Sequence, residues 1–356
     1  MKDKILKHAL LNAISYKGKA SAKVVLNKLL SELPHLKDKI KVIIKDIEKV
    51  VKEVNKLSHE EQKNQLESLG IKQEIKKPQE RQIPDLINVK NKVVMRFAPN
   101  PNGPLSLGHC RPALWNWFFV QKYKGTYILR FDDTDPKVKI PIKEAYDWIK
   151  EDLVWLGVKP TKIVIQSSRL KTYYKYAEEL IKLDGAYVCT CSPESWKKLV
   201  DSKKPCICRS LKKEENLKRF KSMFKTYKEG EAVLRIKTDI SHPNPAIRDW
   251  PAFRIVDKSN HPLSKEKVWP LLNFASAIDD HEFKVTHILR GIDLSISDDR
   301  QKYIYNYFKW TYPETMYNGK LLVSGIKSSS EAREMISKGE LSGWDDPRLG
   351  TIKALR

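Results

Sequence analysis

The sequence lacks any apolar run of the length a membrane-spanning helix needs, which excludes an architecture built on spanning helices. Its N-terminus, MKDKILKHALLNAISYKGKA, is basic but holds neither an apolar signal core nor a cleavage site. Both absences point to a cytoplasmic chain. Acidic residues are scarce: 44 Asp and Glu stand against 67 Lys and Arg, a formal net charge of +23. That imbalance argues for a polyanionic partner. Cysteine is scarce too, at five in 356 residues; four fall in one short segment and Cys110 stands alone. In a cytosolic chain such a cluster speaks for metal binding rather than disulfides. Internal repeats are absent. What is present, 41% hydrophobic residues, suffices for two or three packed units.

Along the chain, ILKHALLNAI and VIIKDIEKVVKEVNKL repeat apolar residues at helical spacing and predict a helical N-terminal region. Twelve lysines meet five acids in the first fifty residues. A solvated helical face and a basic flank for nucleic acid both account for them. GIKQEIKKPQERQIPDLINVK, with two prolines and many charges, reads as a linker. The strand KVVMRF then leads through APNPNGP into a helix from about Leu107, and TYILRF runs into DDTDP before the helix KEAYDWIKEDLVWLGV. Strand, loop, helix and strand at this spacing make a βαβ unit of a parallel sheet. Residues 185–255 break the pattern with cysteines, short strands and prolines, as an insertion would. The doubly wound pattern is expected to resume near VWPLLNFASAIDDH and to continue through VTHILR and DDRQKYIYNYFKW.

Four places carry chemistry. In RFAPNPNGPLSLGHCRPA a proline- and glycine-rich turn opens a helix, whose free N–H groups and positive dipole end suit phosphate. Gly108 allows close backbone approach, and His109 can donate a hydrogen bond to a phosphate. In LRFDDTDP two adjacent acids leave a strand at the ligand-binding edge of such a sheet; a helix-capping turn is the plainer account of Asp133 and Thr134. In VTHILRGID, Arg290 ends a strand, where a guanidinium can bind a carboxylate bidentately or simply pair with Asp293. Cys189-Thr190-Cys191, fourteen residues, then Cys206-Ile207-Cys208 can close a tetrahedral four-thiolate site. Cys110 reads as a small core residue.

The stretch from Arg96 to Ala113 resembles the signature of class I aminoacyl-tRNA synthetases, in which Ser106-Leu107-Gly108-His109 stands for His-Ile-Gly-His. The preceding RFAPNPNG resembles the glutamyl and glutaminyl branch, and Arg290, a position small and uncharged in the glutaminyl relatives, makes the resemblance one to the archaeal glutamyl type. The resemblance covers nearly the whole chain. It implies a cytoplasmic ligase that joins L-glutamate to tRNA(Glu) through an adenylate, with ATP, Mg2+ and a structural Zn2+. It places ATP at Ser106, Gly108, His109 and Lys327, with His109 and Lys327 catalytic. L-glutamate goes to Arg96, Asp132 (as acceptor for the α-ammonium group), Arg290, Leu272 and Ser276. Asp279 to His281 are expected near the acceptor end of the tRNA, and Zn2+ at Cys189, Cys191, Cys206 and Cys208. Arg209, Lys212 and Lys213 of the insertion would face the acceptor stem.

The expected fold class is α/β: a Rossmann-type doubly wound parallel sheet with an N-terminal helical domain and an inserted zinc-bearing α+β domain. The expected boundaries are 1–75 helical, 76–91 linker, 92–184 first catalytic half, 185–260 insertion, 261–319 second half, and 320–356 ATP loop and stem contact. Two departures from the family pattern stand out: Ser106 replaces the first histidine, and in Lys327-Ser328-Ser329-Ser330-Glu331-Ala332-Arg333 a glutamate occupies the phosphate-clamping lysine's place. Lys327 or Arg333 is the expected substitute. The family's anticodon-binding domain is expected to be missing after Arg356, leaving a monomer or a chain working with a separately encoded anticodon-binding partner. Glutamylation of a modified tRNA nucleoside, and a tRNA-binding paralogue or partner subunit with a weakened ATP loop, are the alternatives.

Overall fold

The computed structural model describes residues 2–16, 18–33, 36, 40–71, 83–319 and 329–356. They form two compact units, Met1–Pro84 and Asp85–Arg356. The first holds helices α1 (Lys2–Ser15), α2 (Ala22–Glu32), α3 (Ile40–Val54) and α4 (His59–Ser68). Ile43, Ile47, Val50 and Val54 recur along one face of α3 and bury against Ile5, Ala9, Leu10, Val25, Leu29 and Leu66, while the lysines between them face water. A capping box starts α4. The Glu61 N–H donates to Ser58 Oγ (3.3 Å), and the Ser58 N–H donates to the Glu61 carboxylate (2.7 Å).

The second unit begins β1 (Val94–Phe97), α5 (Leu107–Lys122), β2 (Thr126–Phe131), α6 (Ala145–Trp155), β3 (Lys162–Ile165) and α7 (Leu170–Lys182). It continues through β4 (Ala186–Cys189), α8 (Pro193–Asp201), α9 (Lys213–Met223), β5 (Val233–Ile236), β6 (Pro251–Ile255) and β7 (Val268–Pro270). It closes with α10 (Leu272–Glu282), β8 (His287–Gly291), α11 (Ser295–Phe308), β9 (Glu314–Asn318), α12 (Ser329–Ser337) and α13 (Ile352–Leu355). No helix among the described residues is long and apolar enough to cross a membrane.

Five strands make one sheet in the order β3-β2-β1-β8-β9, with every pairing parallel. VMRF and TYILRF put apolar residues on one face, where Met95, Phe97, Tyr127, Leu129 and Phe131 pack with Phe119 of α5 and Ile149 and Leu153 of α6, while the opposite face carries Arg96 and Arg130, also buried. The chain leaves β1 toward β2 and β3, then returns to β8 on the other side of β1. Strand order therefore reverses between β1 and β8, and at such a point the crevice beyond the strand ends receives ligands. This is a Rossmann-like α/β fold.

The other four strands form an antiparallel sheet in the order β4-β5-β6-β7. Here the sequence expectation needs correcting. Val268–Pro270, expected in the returning half of the parallel sheet, pairs with β6, because Phe253, Arg254 and Ile255 meet Pro270, Trp269 and Val268 in antiparallel register. The parallel pattern resumes only with α10. This second sheet shares one core with α7, α9, α10 and α11, through Tyr173, Phe220, Trp269, Phe274 and Ile304.

Candidate active site

The C-terminal ends of β1, β2 and β8 each supply a buried arginine: Arg96, Arg130 and Arg290. A buried guanidinium requires a partner, and α10 supplies one. Arg130 Nη1 lies 2.6 Å from Asp280 Oδ1, and Arg96 Nε lies 3.1 Å from the same oxygen. Arg130 also grips Asp132 with Nε (2.6 Å) and Nη2 (3.2 Å). Arg290 is held on its other side by Asp298, at 2.9 Å. Three guanidinium groups thus meet three carboxylates. Burial raises the pKa of Asp280, but Arg96 and Arg130 outweigh it and hold the carboxyl below its ordinary range. For Asp132 burial wins over Arg130, and its pKa is raised.

The glutamate-site candidates therefore come together in part. Arg96, Asp132 and Ser276 join one network: Ser276 Oγ accepts from Arg130 Nη2 (3.1 Å) and donates to Asp132 Oδ2 (3.3 Å). Arg290 lies close enough to Arg96 and Asp280 to shift both electrostatically. Leu272 is 45% exposed, one helical turn before Ser276 on α10. Asp133 serves the fold, accepting from Tyr146 Oη (2.6 Å) and from the Ser167 N–H (2.8 Å) and hydroxyl (2.7 Å).

Sequence reasoning missed Arg130 and underused Asp280. The signals were there: Arg130 and Asp132 sit two apart, hence on one side of an extended chain, and Leu272, Ser276 and Asp280 recur every four residues along one helix face. Asp279 and His281, expected near the tRNA end, have interior partners. Asp279 accepts from Arg169 Nε (2.8 Å) and Tyr173 Oη (2.7 Å), and His281 stacks on Trp310 with ring centroids 3.5 Å apart.

At the start of α5, Ser106 is the N-cap residue. Its backbone N–H donates to His109 Nδ1 (3.1 Å), and its hydroxyl lies 3.0 Å from the same nitrogen. Nδ1 is thus an acceptor, which places the neutral ring's proton on Nε2. The ring keeps a solvent-facing edge, yet the surrounding protein and then the charge of Lys139 lower its pKa. A side chain at Gly108 would meet only Ser106 Oγ, at an ordinary 3.6 Å, so the fold itself does not demand glycine there.

Residues near the C-terminus brace this turn. Ser106 bridges to Thr351, the Leu107 N–H donates to Gly350 O (3.0 Å), and the Ile352 N–H donates to Leu105 O (2.7 Å). A Cβ on Gly103 would lie 2.9 Å from the Trp344 ring. Arg333, considered above as a phosphate clamp, instead donates to Ile140 O (2.9 Å) and Asn102 O (3.4 Å) and ties α12 to the turn. Lys327 lies outside the described residues, and Glu331 sits in the first turn of α12.

In the antiparallel sheet, the four Sγ atoms of Cys189, Cys191, Cys206 and Cys208 lie within 4.8 Å of one another. Cys189–Cys206 and Cys191–Cys208 are 3.8 and 3.9 Å apart. A disulfide needs about 2.05 Å. Around 3.8 Å is the edge of a tetrahedron with metal–sulfur bonds of about 2.3 Å, so this donor set fits a four-coordinate thiophilic ion and leaves no open position. Arg209, expected to face a nucleic acid, is instead half-buried, pairing with Asp249 (2.9 Å) and donating to Thr238 O (2.8 Å). Lys212 and Lys213 are exposed.

Residues 92–356 match the family of class I tRNA synthetases (E and Q), catalytic domain. The chain is 54% identical to the glutamate–tRNA ligase of Pyrococcus furiosus, over 99% of this chain and 63% of that protein. It is 50% identical to the glutamate–tRNA ligase of Methanocaldococcus jannaschii, over 100% of this chain and 64% of that protein. It therefore spans somewhat less than two thirds of the length of these relatives. A solved glutamate tRNA ligase from Elizabethkingia meningosepticum, in complex with its amino acid, aligns over 70% of this chain and 53% of that one at 25% identity, with a TM-score of 0.50. From the Ser106–His109 turn, the reversal of strand order between β1 and β8, and these matches, the chain belongs to the class I tRNA synthetases of the E and Q type.

Proposed function

We propose that the chain is a cytoplasmic ligase that activates L-glutamate with ATP and passes it to tRNA. The observation that carries this reading is Arg290, buried at the end of β8 beside Arg96 at the reversal of strand order. Planar guanidinium groups match a carboxylate in two-point geometry, and the fixed N–H directions favour an acid over an amide. In the first step an oxygen of the glutamate α-carboxylate attacks the α-phosphorus of ATP and pyrophosphate leaves. In the second the terminal ribose hydroxyl attacks the carbonyl of the mixed anhydride and AMP leaves. The protein's share is positioning and charge stabilisation. Neutral His109, its proton on Nε2, would donate it to a nucleotide phosphate, and the α5 N-terminus would supply backbone N–H groups. Asp132, on the same cluster, is the acceptor for the substrate ammonium.

Mg2+ accompanies ATP and supplies positive charge against the phosphates. Zn2+ is the ion that suits four thiolates at these distances; Cys189, Cys191, Cys206 and Cys208 would hold it as a structural clamp between the end of β4 and the turn at Cys206–Cys208. The net charge of +23 and the exposed Lys212 and Lys213 of the inserted region support tRNA, through its acceptor stem, as the polyanionic partner. Glutamate-dependent ATP–pyrophosphate exchange, run with and without added tRNA, tests the reading. Exchange is expected in at least one condition; none in either overturns it. Mapping radiolabelled glutamate on the tRNA then identifies the acceptor, with the terminal ribose expected.

A further inference from the structure

We infer that Asp298, together with Gln301 and Tyr312, is the positioning set that orients Arg290 and so decides between an acid and an amide side chain; this rests on the cleft reading proposed above. Asp298 and Gln301 lie three residues apart on α11, hence on one face, and both are buried. Arg290 Nη1 lies 2.9 Å from Asp298 Oδ1, and Nη2 donates to Gln301 Oε1 at 3.2 Å. The Tyr312 hydroxyl closes the ring, 2.7 Å from Asp298 Oδ1 and 2.8 Å from Gln301 Oε1. The Tyr317 hydroxyl, from β9, donates to Asp298 Oδ2.

A guanidinium held at one nitrogen still swings about its last bond. Paired at Nη1 with the Asp298 carboxylate and hydrogen-bonded from Nη2 to Gln301 Oε1, both on one helix face, the guanidinium is restrained in its swing. Arg96 is held differently, its Nε and Nη2 both meeting the one carboxylate of Asp280 (3.1 to 3.4 Å), whereas Arg290 is met by two separate side chains of α11. Asp298 also balances the charge of Arg290 before any ligand arrives. What remains for a substrate is directional N–H groups rather than bare charge. A side-chain carboxylate offers two acceptors to such a fixed pair of donors. An amide offers one acceptor and one opposed donor, and a buried donor left facing a donor is penalised. Orientation is thereby turned into selectivity.

The test is calorimetric titration of the full chain with L-glutamate, L-glutamine and ATP, for the unmodified protein, Asp298→Asn and Tyr312→Phe. Asp298→Asn is expected to weaken glutamate binding by about tenfold to a hundredfold, because it removes the carboxylate paired with the buried Arg290. Both variants should narrow the glutamate-to-glutamine affinity ratio and leave ATP affinity unchanged. Tyr312→Phe keeps the ring packing and so reports even where Asp298→Asn unfolds. If the unmodified protein binds ATP but not glutamate, the cleft reading falls and takes this inference with it. If the unmodified protein favours glutamate and both variants keep its ratio, the positioning role alone is overturned. Equal weakening of glutamate, glutamine and ATP in step with a lower melting temperature overturns it as well, because a merely structural role gives that result.

Discussion

At the ends of the parallel strands, charged side chains from β1, β2, β8, α10 and α11 converge in one buried cluster. At one end of the antiparallel sheet, four thiols from two tight turns converge on another point. The two centres differ in how far their members must travel. Arg96 and Asp280 are 184 residues apart and Arg130 and Asp280 are 150 apart, whereas Cys189 and Cys206 are separated by 17. The cysteine centre can form from a local segment with an ion as its organiser. The arginine centre exists only once β1, β2 and α10 have packed. Its charges are then held in low dielectric and depend on one another, so removing one partner exposes another.

The largest expected effect breaks the comparison on the thiol side. Cys206→Ser should lose stoichiometric bound zinc by elemental analysis and loosen the antiparallel sheet by near-UV circular dichroism, since structural zinc contributes on the order of 10 kcal/mol to small folds that depend on it. Retention of both signals would show that the four thiols are merely packed together. Next, Asp280→Ala should lower stability by about 3–5 kcal/mol in denaturant titration, because it leaves Arg96 and Arg130 buried without their shared counter-charge.

A smaller effect sharpens the comparison through pH. The folded pKa of Asp280 is depressed, so its contribution to stability is complete above the ordinary carboxylate value of about 4 and is lost as pH falls through the lower folded value. The melting-temperature gap between the unmodified protein and Asp280→Asn should hold steady from neutral pH to about 5 and close on further acidification. A gap that widens toward acid contradicts the assignment. The smallest effect returns to the antiparallel sheet. Tyr187→Phe removes a hydroxyl that donates to Asp249 (2.9 Å) and lies 3.7 Å from Cys206 Sγ. It should cost about 1 kcal/mol in thermal or denaturant unfolding while the metal content stays intact.

Much of the parallel sheet was legible in the sequence. TYILRF forms β2 over the residues expected, and VTHILR and DDRQKYIYNYFKW overlap most of β8 and α11, because apolar period and turn residues act locally. The thiol cluster was legible for the same reason: two tight Cys-x-Cys turns leave few ways to arrange four sulfurs. Val268–Pro270 was assigned to the wrong sheet, since a short apolar strand carries no mark of which edge it will join. Arg209 and Arg333 looked free in sequence and are tied to Asp249 and to backbone carbonyls, because a basic residue does not announce its partner. Ser106, a departure from the family pattern in sequence, stands at the N-cap of α5, and its backbone N–H donates to His109 Nδ1.

By itself the sequence determined the helix and strand periods, the nucleotide-type turn before α5, the spacing of the cysteines and the family to which the chain belongs. All of these depend on neighbours a few residues away. Only the tertiary structure decided that Asp280 is shared by Arg96 and Arg130, and that Asp298 and Gln301 grip Arg290. Such pairings are selected by distance and desolvation after distant segments have packed, and a linear order of residue types records neither.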